Sequence, residues 1–178
     1  MTATTSTKKK LDELYELIGE IEIALLTTRR EDGLLVTRPM ATQDQGPQGD
    51  LWFVTNVETH KVDELEADPH VSVGYLNPKT FEWVSVSGTV RVSQDRERIK
   101  ALYQPDWKMW FEDEGGERNG GPDDPRLALI VVDAVTATYF KNPHSQPRVL
   151  FELTRGRATG KQPDLGRQEH LTASELGR

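Results

Sequence analysis

The stretch IEIALLTTRREDGLLVTRPMAT, residues 21–42, decides the fold. It contains two runs rich in Leu, Ile, Val and Thr, and such apolar and β-branched residues are typical of strands. Asp32-Gly33 lies between the runs, and its glycine tolerates the positive φ angle of a tight hairpin turn. The stretch therefore predicts two antiparallel strands, over 21–30 and 33–42.

Four more stretches have the character of strands. The predicted strands are LWFVTN (51–56), HVSVGYL (70–76), TFEWVSVSGTVRVS (80–93) and RLALIVVDAVTATYFK (126–141). The middle two alternate apolar and polar residues with a period of two, as half-buried strands do. We expect a turn at 46–50 and a bend in the last strand near Asp133 or Ala134.

Four helices are predicted, one before the first strand, two between strands and one after the last strand; in the first two, apolar residues recur three and four positions apart. These segments cover 7–19, 57–68, 95–104 and 146–160. About six hairpin-connected strands with short helices between them predict a closed antiparallel β-barrel that carries helices at its rim.

Chain length and composition limit the organisation and the class of protein. The 178 residues suit one domain, which we place at 8–155 between flexible tails at 1–7 and 160–178. The acidic, glycine-rich segment 112–125 has no apolar residue to bury, so it is either a mobile lid or a solvated loop, and we favour the loop.

Charge and cysteine content exclude several functions. A net charge of −7 argues against a nucleic-acid binder, and no apolar run approaches the roughly 20 residues that cross a bilayer. The absence of cysteine excludes disulfides, thiolate metal sites and a cysteine nucleophile. The start MTATTSTKKK has no apolar core of a secretory signal, so we expect a cytoplasmic protein.

A candidate binding residue is Arg38, which shares a strand face with Val36 and Met40. A guanidinium on that apolar face needs an anionic partner, either a ligand phosphate or a carboxylate of a neighbouring strand. On this residue alone we favour the structural salt bridge. Pro39 cannot donate to a strand ladder, so it predicts either a sheet edge or a place where pairing is broken, which would leave room for a ligand.

A second candidate is the passage TNVETHK (55–61), where a strand runs into a helix. Helix starts offer unpaired amide donors to anions, and Thr55, Thr59 and Lys61 add hydroxyl groups and a charge. Capping by Asn56 or Thr59, with Lys61 at the surface, explains the same residues. No catalytic triad, metal-ligand cluster or paired catalytic carboxylate is recognisable, so catalytic residues stay unknown and no metal is expected.

Several motifs, in this order, carry a resemblance to a known family. They are RPM (38–40), LWFVT (51–55), THK (59–61), DPHVSVGY (68–75) and VSVSGTVRV (84–92), followed by WKMWF (107–111), DDPRLALIVV (123–132) and ATYF (137–140). Together they resemble the flavin-binding split-barrel proteins related to pyridoxamine 5′-phosphate oxidase, in the general stress protein branch.

The resemblance implies a mainly β (α+β) fold, a six-stranded antiparallel split β-barrel with short flanking helices, as a homodimer with FMN or FAD at the subunit interface. It further implies three groups of cofactor-binding residues. Arg38 and Lys61 would bind the phosphate together with Thr55 and the amides near His60. Pro39 and Met40 would lie beside the ribityl chain and the ring edge, and Val54 and Trp83 would complete the pocket. Trp110 and Phe111 would cover the ring from the partner subunit. We expect Trp52 and Trp107 to serve packing instead.

Departures from the family pattern concern the activity. Pyridoxamine 5′-phosphate oxidases carry a lysine where this chain has Gln43, and they end in a substrate-reading strand that LIVVDAVTATYFK (129–141) does not match. We therefore do not expect pyridoxamine phosphate oxidase activity. The sequence leaves open a flavin-dependent oxidoreductase acting on an unknown small substrate, a flavin-storing or flavin-sensing stress protein without turnover, and a deazaflavin cofactor in place of FMN.

Overall fold

The computed structural model describes residues 6–45, 51–143 and 146–178. The turn predicted at 46–50 and most of the predicted N-terminal tail lie outside the described residues. No helix in the described part of the chain is long and apolar enough to cross a bilayer.

Seven strands and four α-helices are present among the described residues. The strands are β1 (Ile23–Arg29), β2 (Leu35–Gln45), β3 (Leu51–Asn56), β4 (His70–Leu76), β5 (Trp83–Ser93), β6 (Leu127–Lys141) and β7 (Arg167–Leu171). The helices are α1 (Thr7–Ile21), α2 (His60–Ala67), α3 (Arg96–Leu102) and α4 (Gln146–Thr159), with a 3-10 helix at Pro105–Trp110.

Six strands close an antiparallel barrel. They follow the order β3-β2-β1-β4-β5-β6, and β3 pairs with β6 to complete the ring, while β7 extends the sheet beyond β6. The predicted six-stranded barrel with short flanking helices is therefore confirmed. Its interior is apolar, with Leu26, Phe53 and Val73 fully buried, and α1 closes one end through Leu14 and Leu17.

Strand β7 corrects the prediction of a flexible tail from residue 160, which is wrong at Arg167–Leu171. The polar composition of this segment concealed its order because its charged groups bind α1. The Arg167 guanidinium contacts the Glu13 carboxylate, and Lys10 Nζ lies 2.9 Å from Glu175 Oε1. Leu171 and Leu176, both at most 2% exposed, pack into the core beside them.

The predicted bend of the last strand is present as a shift in register. Pairing between β5 and β6 shifts between Ser87 and Gly88, where Gly88 faces Ala134. A Cβ atom on Gly88 would lie 2.2 Å from the Asp133 carbonyl oxygen. Only glycine allows so close an approach of two backbones, so Gly88 permits the bulge that helps the barrel to close.

The acidic segment 112–125 is a loop, as favoured, and its residues 112–117 are exposed. A β-bridge joins Gly115 to Arg118, and the Asp124 carboxylate is fully buried against Arg126, whose side chain is 2% exposed. The polar composition did not reveal that a buried ion pair anchors this loop.

Candidate functional site

A cavity opens where strand β2 has only one partner. Pro39 and Met40 pair with Leu25 and Ala24 of β1, whereas pairing of β2 with β3 begins at Thr42. Pairing with β1 continues through Pro39, so among the described residues this part of β2 is an edge, one of the two alternatives that Pro39 predicted. The space beside it forms a cavity of about 400 Å³, here named the Lys61 cavity. Its volume falls within the roughly 300–1,000 Å³ of small-molecule sites.

Most of the predicted site residues line the Lys61 cavity. They are Pro39, Met40, Val54, Thr55, Lys61 and Trp110. Residues far apart in sequence converge here because β2, β3, the start of α2 and the 3-10 helix meet at one side of the barrel.

The Lys61 ammonium group has polar but uncharged neighbours. Its Nζ lies 3.0 Å from Thr55 Oγ1 and 3.7 Å from Met40 Sδ. Among the described residues, none of the ion pairs includes Lys61. Burial lowers the pKa of Lys61, and the positive charge of Arg38 acts in the same direction, while Glu64 opposes both. The cavity therefore contains a half-buried cation that forms no ion pair within the described part of the chain, although the charges of Arg38 and Glu64 both act on it.

The turn from β3 into α2 sets the position of this lysine. Asn56 Oδ1 accepts a hydrogen bond of 2.8 Å from the Glu58 amide, and the Asn56 carbonyl accepts one of 2.8 Å from Thr59 Oγ1. Thr59 is the residue before the helix, and its side chain does not cap it. By helix geometry the first two amides of α2, those of His60 and Lys61, have no intrahelical acceptor, whereas the Val62 amide donates to the Thr59 carbonyl oxygen at 2.8 Å. Such a helix start favours an anion.

Arg38 does not share this cavity. Its Nη2 lies 2.8 Å from both carboxylate oxygens of Glu64, and its Nη1 donates to Thr28 Oγ1 at 2.6 Å. This contact is the structural salt bridge that was favoured for Arg38 alone, although the acid lies on α2 and not on a strand. Burial raises the pKa of Glu64, but hydrogen bonds from Thr28 and Arg38 outweigh it and leave the pKa lowered.

The Arg38 guanidinium borders a separate, wider cleft of about 920 Å³, here named the Arg38 cleft. His60 also lines this cleft, and its ring is almost fully exposed. Charges of both signs surround the space, among them Arg30, Asp32 and Asp63. Arg38 and Lys61 therefore line different spaces, although the charge of Arg38 acts on the lysine, and their joint role at a phosphate stays a prediction.

The predicted aromatic residues are distributed unevenly. Trp110 and Phe111 both border the Lys61 cavity within a single chain, and Trp110 is 74% exposed. Trp83 begins β5, opposite Phe140 and Leu76, and does not line the cavity. Trp107 is buried, as expected for packing.

Sequence reasoning missed several residues that line the cavity, including Ile23, Gln43 and Asp106. Gln43 is fixed there because its Oε1 accepts a hydrogen bond of 2.8 Å from Trp107 Nε1. The sequence carried a usable signal at this position, because pyridoxamine 5′-phosphate oxidases have a lysine where this chain has Gln43. For Ile23 and Asp106 the sequence offers none, because barrel closure and the 3-10 helix bring them to the site.

Comparison with known protein families finds a match over most of the chain. The model described as pyridoxamine 5′-phosphate oxidase like matches residues 9–164. Protein bli-3 of Neurospora crassa is 34% identical over 171 residues, which make up 94% of this chain and 82% of that protein.

Solved structures show the same architecture. The general stress FMN/FAD binding protein of the phytopathogen Xanthomonas citri is 26% identical, with a TM-score of 0.63 over 78% of this chain and 92% of that one. A Clostridium acetobutylicum protein related to general stress protein 26 has a TM-score of 0.68 over 97% of this chain and 99% of that one. At 17% identity the second likeness concerns the fold alone.

Proposed function

The chain belongs to the pyridoxamine 5′-phosphate oxidase-like family, and from this membership and the Lys61 cavity we propose that it is a general stress protein that binds FMN or FAD. We further propose a flavin-dependent oxidoreductase activity on a small substrate. The Xanthomonas citri relative is described as an FMN/FAD binding protein, which supports the cofactor class.

The single observation that carries the proposal is the ammonium group of Lys61, which forms no ion pair with any residue that the structure describes. A half-buried charge without a counter-ion costs free energy unless a ligand compensates it. The group lies at the start of α2 with the Thr55 hydroxyl 3.0 Å away, so the polar end of the cavity offers a charge, a hydroxyl donor and helix amides. This donor set suits a phosphate dianion.

The rest of the cavity fits an aromatic ring system. Pro39, Met40 and Val54 provide an apolar wall, and Trp110 and Phe111 provide aromatic faces. When bound, flavin supplies hydride or electron transfer. The residues of the chain would hold the phosphate through Lys61 and Thr55, orient the ring against the apolar wall and exclude water from it. A phosphate role for Arg38 stays a prediction, and it requires release of Glu64.

The direct test is a titration of purified protein with FMN, FAD, riboflavin and a deazaflavin, followed by ligand fluorescence, and with pyridoxal phosphate, followed by its absorbance. We expect FMN or FAD to bind and riboflavin, which lacks the phosphate, to bind far more weakly. Equal affinity for riboflavin and FMN would contradict a phosphate site. Addition of NAD(P)H then separates the two functional classes: bleaching of bound flavin supports an oxidoreductase, and stable yellow colour supports flavin storage or sensing.

Flavin affinity should decline at alkaline pH. An anion binds the protonated form of Lys61, and the pKa of this lysine is lowered in the free protein. Affinity is therefore retained below that lowered pKa and lost as the pH rises through it; the phosphate is already a dianion at and above about pH 7, so its own ionisation does not contribute. Fluorescence titrations from neutral to alkaline pH measure the decline, with riboflavin as the control for ionisation of the ring.

The Lys61→Arg variant sharpens this test, because arginine stays charged throughout that range. Its FMN affinity should not follow the alkaline decline. A wild-type FMN affinity that stays constant until the pH reaches the ordinary pKa range of lysine would contradict a lowered pKa at this site.

We propose that the protein is a homodimer. Ile23 and Leu25 lie on the outer face of β1 beside Pro39, and both are about half exposed. Together with Trp110 they form an apolar rim next to the cavity, which a second copy would cover. Sedimentation velocity should give twice the 20.1 kDa chain mass, and Leu25→Glu should shift it toward the monomer. A monomeric wild-type protein would refute the dimer.

The cytoplasmic location stays a prediction from the cysteine-free sequence.

A further inference from the structure

The acidic segment, taken as residues 112–126 and here named the strap, connects two walls of the Lys61 cavity. Its base is a buried ion pair: Arg126 Nε and Nη2 lie 3.0 and 2.8 Å from the two carboxylate oxygens of Asp124. Asp124 also accepts hydrogen bonds from the amides of Gly120 and Arg126, and Arg126 donates to the Glu112 carbonyl oxygen. The hydrogen bonds of the base therefore join residues within the strap and hold them in one arrangement.

One wall is the turn between β3 and α2. Arg118 reaches this turn across 60 positions of sequence: its Nη1 and Nη2 donate to the two carboxylate oxygens of Glu58 at 3.0 and 2.9 Å. Its Nε donates to Glu114 at 2.6 Å, and Glu114 also binds Arg126. Glu58 lies three positions before Lys61, so the guanidinium holds the turn that presents the ammonium group.

The other wall is the segment that follows the 3-10 helix. Gly120 packs so closely there that an added Cβ would lie 3.0 Å from Lys108 Cα and 3.1 Å from Phe111 Cβ. Tyr103 donates to the Gly120 carbonyl oxygen, and the Arg126 guanidinium lies 5.5 Å from the centre of the Phe111 ring. The strap thus also holds Phe111, which faces the cavity.

We propose that Arg118 is a positioning residue for flavin binding, which fixes the spacing between Lys61 and the aromatic wall through its bidentate contact with Glu58. The contact is partly exposed to solvent, 36% for Arg118 and 52% for Glu58, and such surface pairs contribute little to global stability. Its contribution is to geometry, since a binding group that is displaced by even 1 Å loses much of its effect. This inference rests on the proposed flavin site.

The test compares Arg118→Ala with wild type by FMN and riboflavin titration. We expect FMN affinity to fall roughly 3- to 10-fold, mainly through faster dissociation, with little change for riboflavin and the same denaturation midpoint. A merely structural role would instead lower the midpoint or weaken both ligands alike. Lys100→Ala is the matched control, because Lys100 forms an exposed pair with Asp123 of the strap and does not touch the turn.

A double-mutant cycle completes the test. Glu58→Ala and Arg118→Ala should weaken FMN binding alike, and the double variant should bind no more weakly than either single variant, because both act through one contact. Wild-type FMN affinity in Arg118→Ala, or losses that simply add in the double variant, overturns the positioning role and leaves the proposed function intact. A wild-type protein that binds no flavin overturns both.

Discussion

Replacing Lys61 with alanine is expected to weaken FMN binding on the order of 100-fold, equivalent to about 2.7 kcal/mol. The variant would leave the ligand phosphate without its cation, while the Thr55 hydroxyl and the apolar wall remain. Riboflavin affinity should change much less, because riboflavin has no phosphate. Quenching of flavin fluorescence measures both affinities on the same protein preparations.

Stability provides a separate check on this variant. The lowered pKa of Lys61 means that its protonated form opposes folding at neutral pH, and removal of the charge relieves that cost. Lys61→Ala and the longer, apolar Lys61→Met should therefore stay folded, with the methionine variant at least as stable as wild type. Lys79→Ala, at the exposed β4–β5 turn, is the matched control and should bind FMN normally. An equal loss for FMN and riboflavin in Lys61→Ala would mean that Lys61 does not bind the phosphate.

Arg38 requires a different interpretation from Lys61. Arg38→Ala would leave the Glu64 carboxylate, whose side chain is 11% exposed, without its cation. Because that variant disturbs the packing of α2, its effect on flavin binding would not isolate a ligand contact. The double variant of Arg38 and Lys61 is consequently less informative than Lys61→Ala alone.

Arg126→Met should be the most damaging substitution for stability. The variant preserves apolar volume but removes the cation beside a carboxylate that is fully buried. We expect a loss of about 3–5 kcal/mol in the free energy of unfolding, because the Asp124 carboxylate has 0% exposure and would keep its charge uncompensated. Urea denaturation followed by tryptophan fluorescence measures the change.

The pH dependence identifies the cause of that loss. Hydrogen bonds from Arg126 hold the pKa of Asp124 well below its ordinary value, so wild-type Asp124 stabilises the fold at neutral pH and loses this effect only in strong acid. In Arg126→Met the buried carboxyl should bind a proton more readily, so the stability deficit should be smaller near pH 4 than at pH 7. Arg30→Ala, which breaks an exposed pair with Asp32, should cost little. A similarly small cost for Arg126→Met would show that the strap base contributes no stability.

The barrel was predictable because its strands follow local rules. The Asp32-Gly33 turn fixed the first hairpin, and the alternation in 70–76 and 84–92 identified a two-sided sheet. Strand β7 and the strap were not predictable by the same means. Their order depends on ion pairs between distant residues, such as Arg167 with Glu13 and Arg118 with Glu58, and polar composition alone does not distinguish such pairs from solvated charges.

The candidate site was predictable in part. The sequence indicated the ligand space beside Pro39 and the passage from strand to helix in 55–61, and these two features bring Pro39, Met40, Val54, Thr55 and Lys61 to one cavity. The sequence could not show that the Glu64 carboxylate, one helical turn beyond His60, binds Arg38. That contact depends on how α2 packs against β1 and β2, which is a property of the assembled barrel.

A crystal structure of the protein with FMN tests the central claim most directly. We predict phosphate oxygens at hydrogen-bonding distance, about 2.7–3.2 Å, from Lys61 Nζ and Thr55 Oγ1, with the ring against Pro39 and Met40. An FMN phosphate bound at the Arg38 cleft, with Lys61 still donating to Thr55 alone, would contradict the claim.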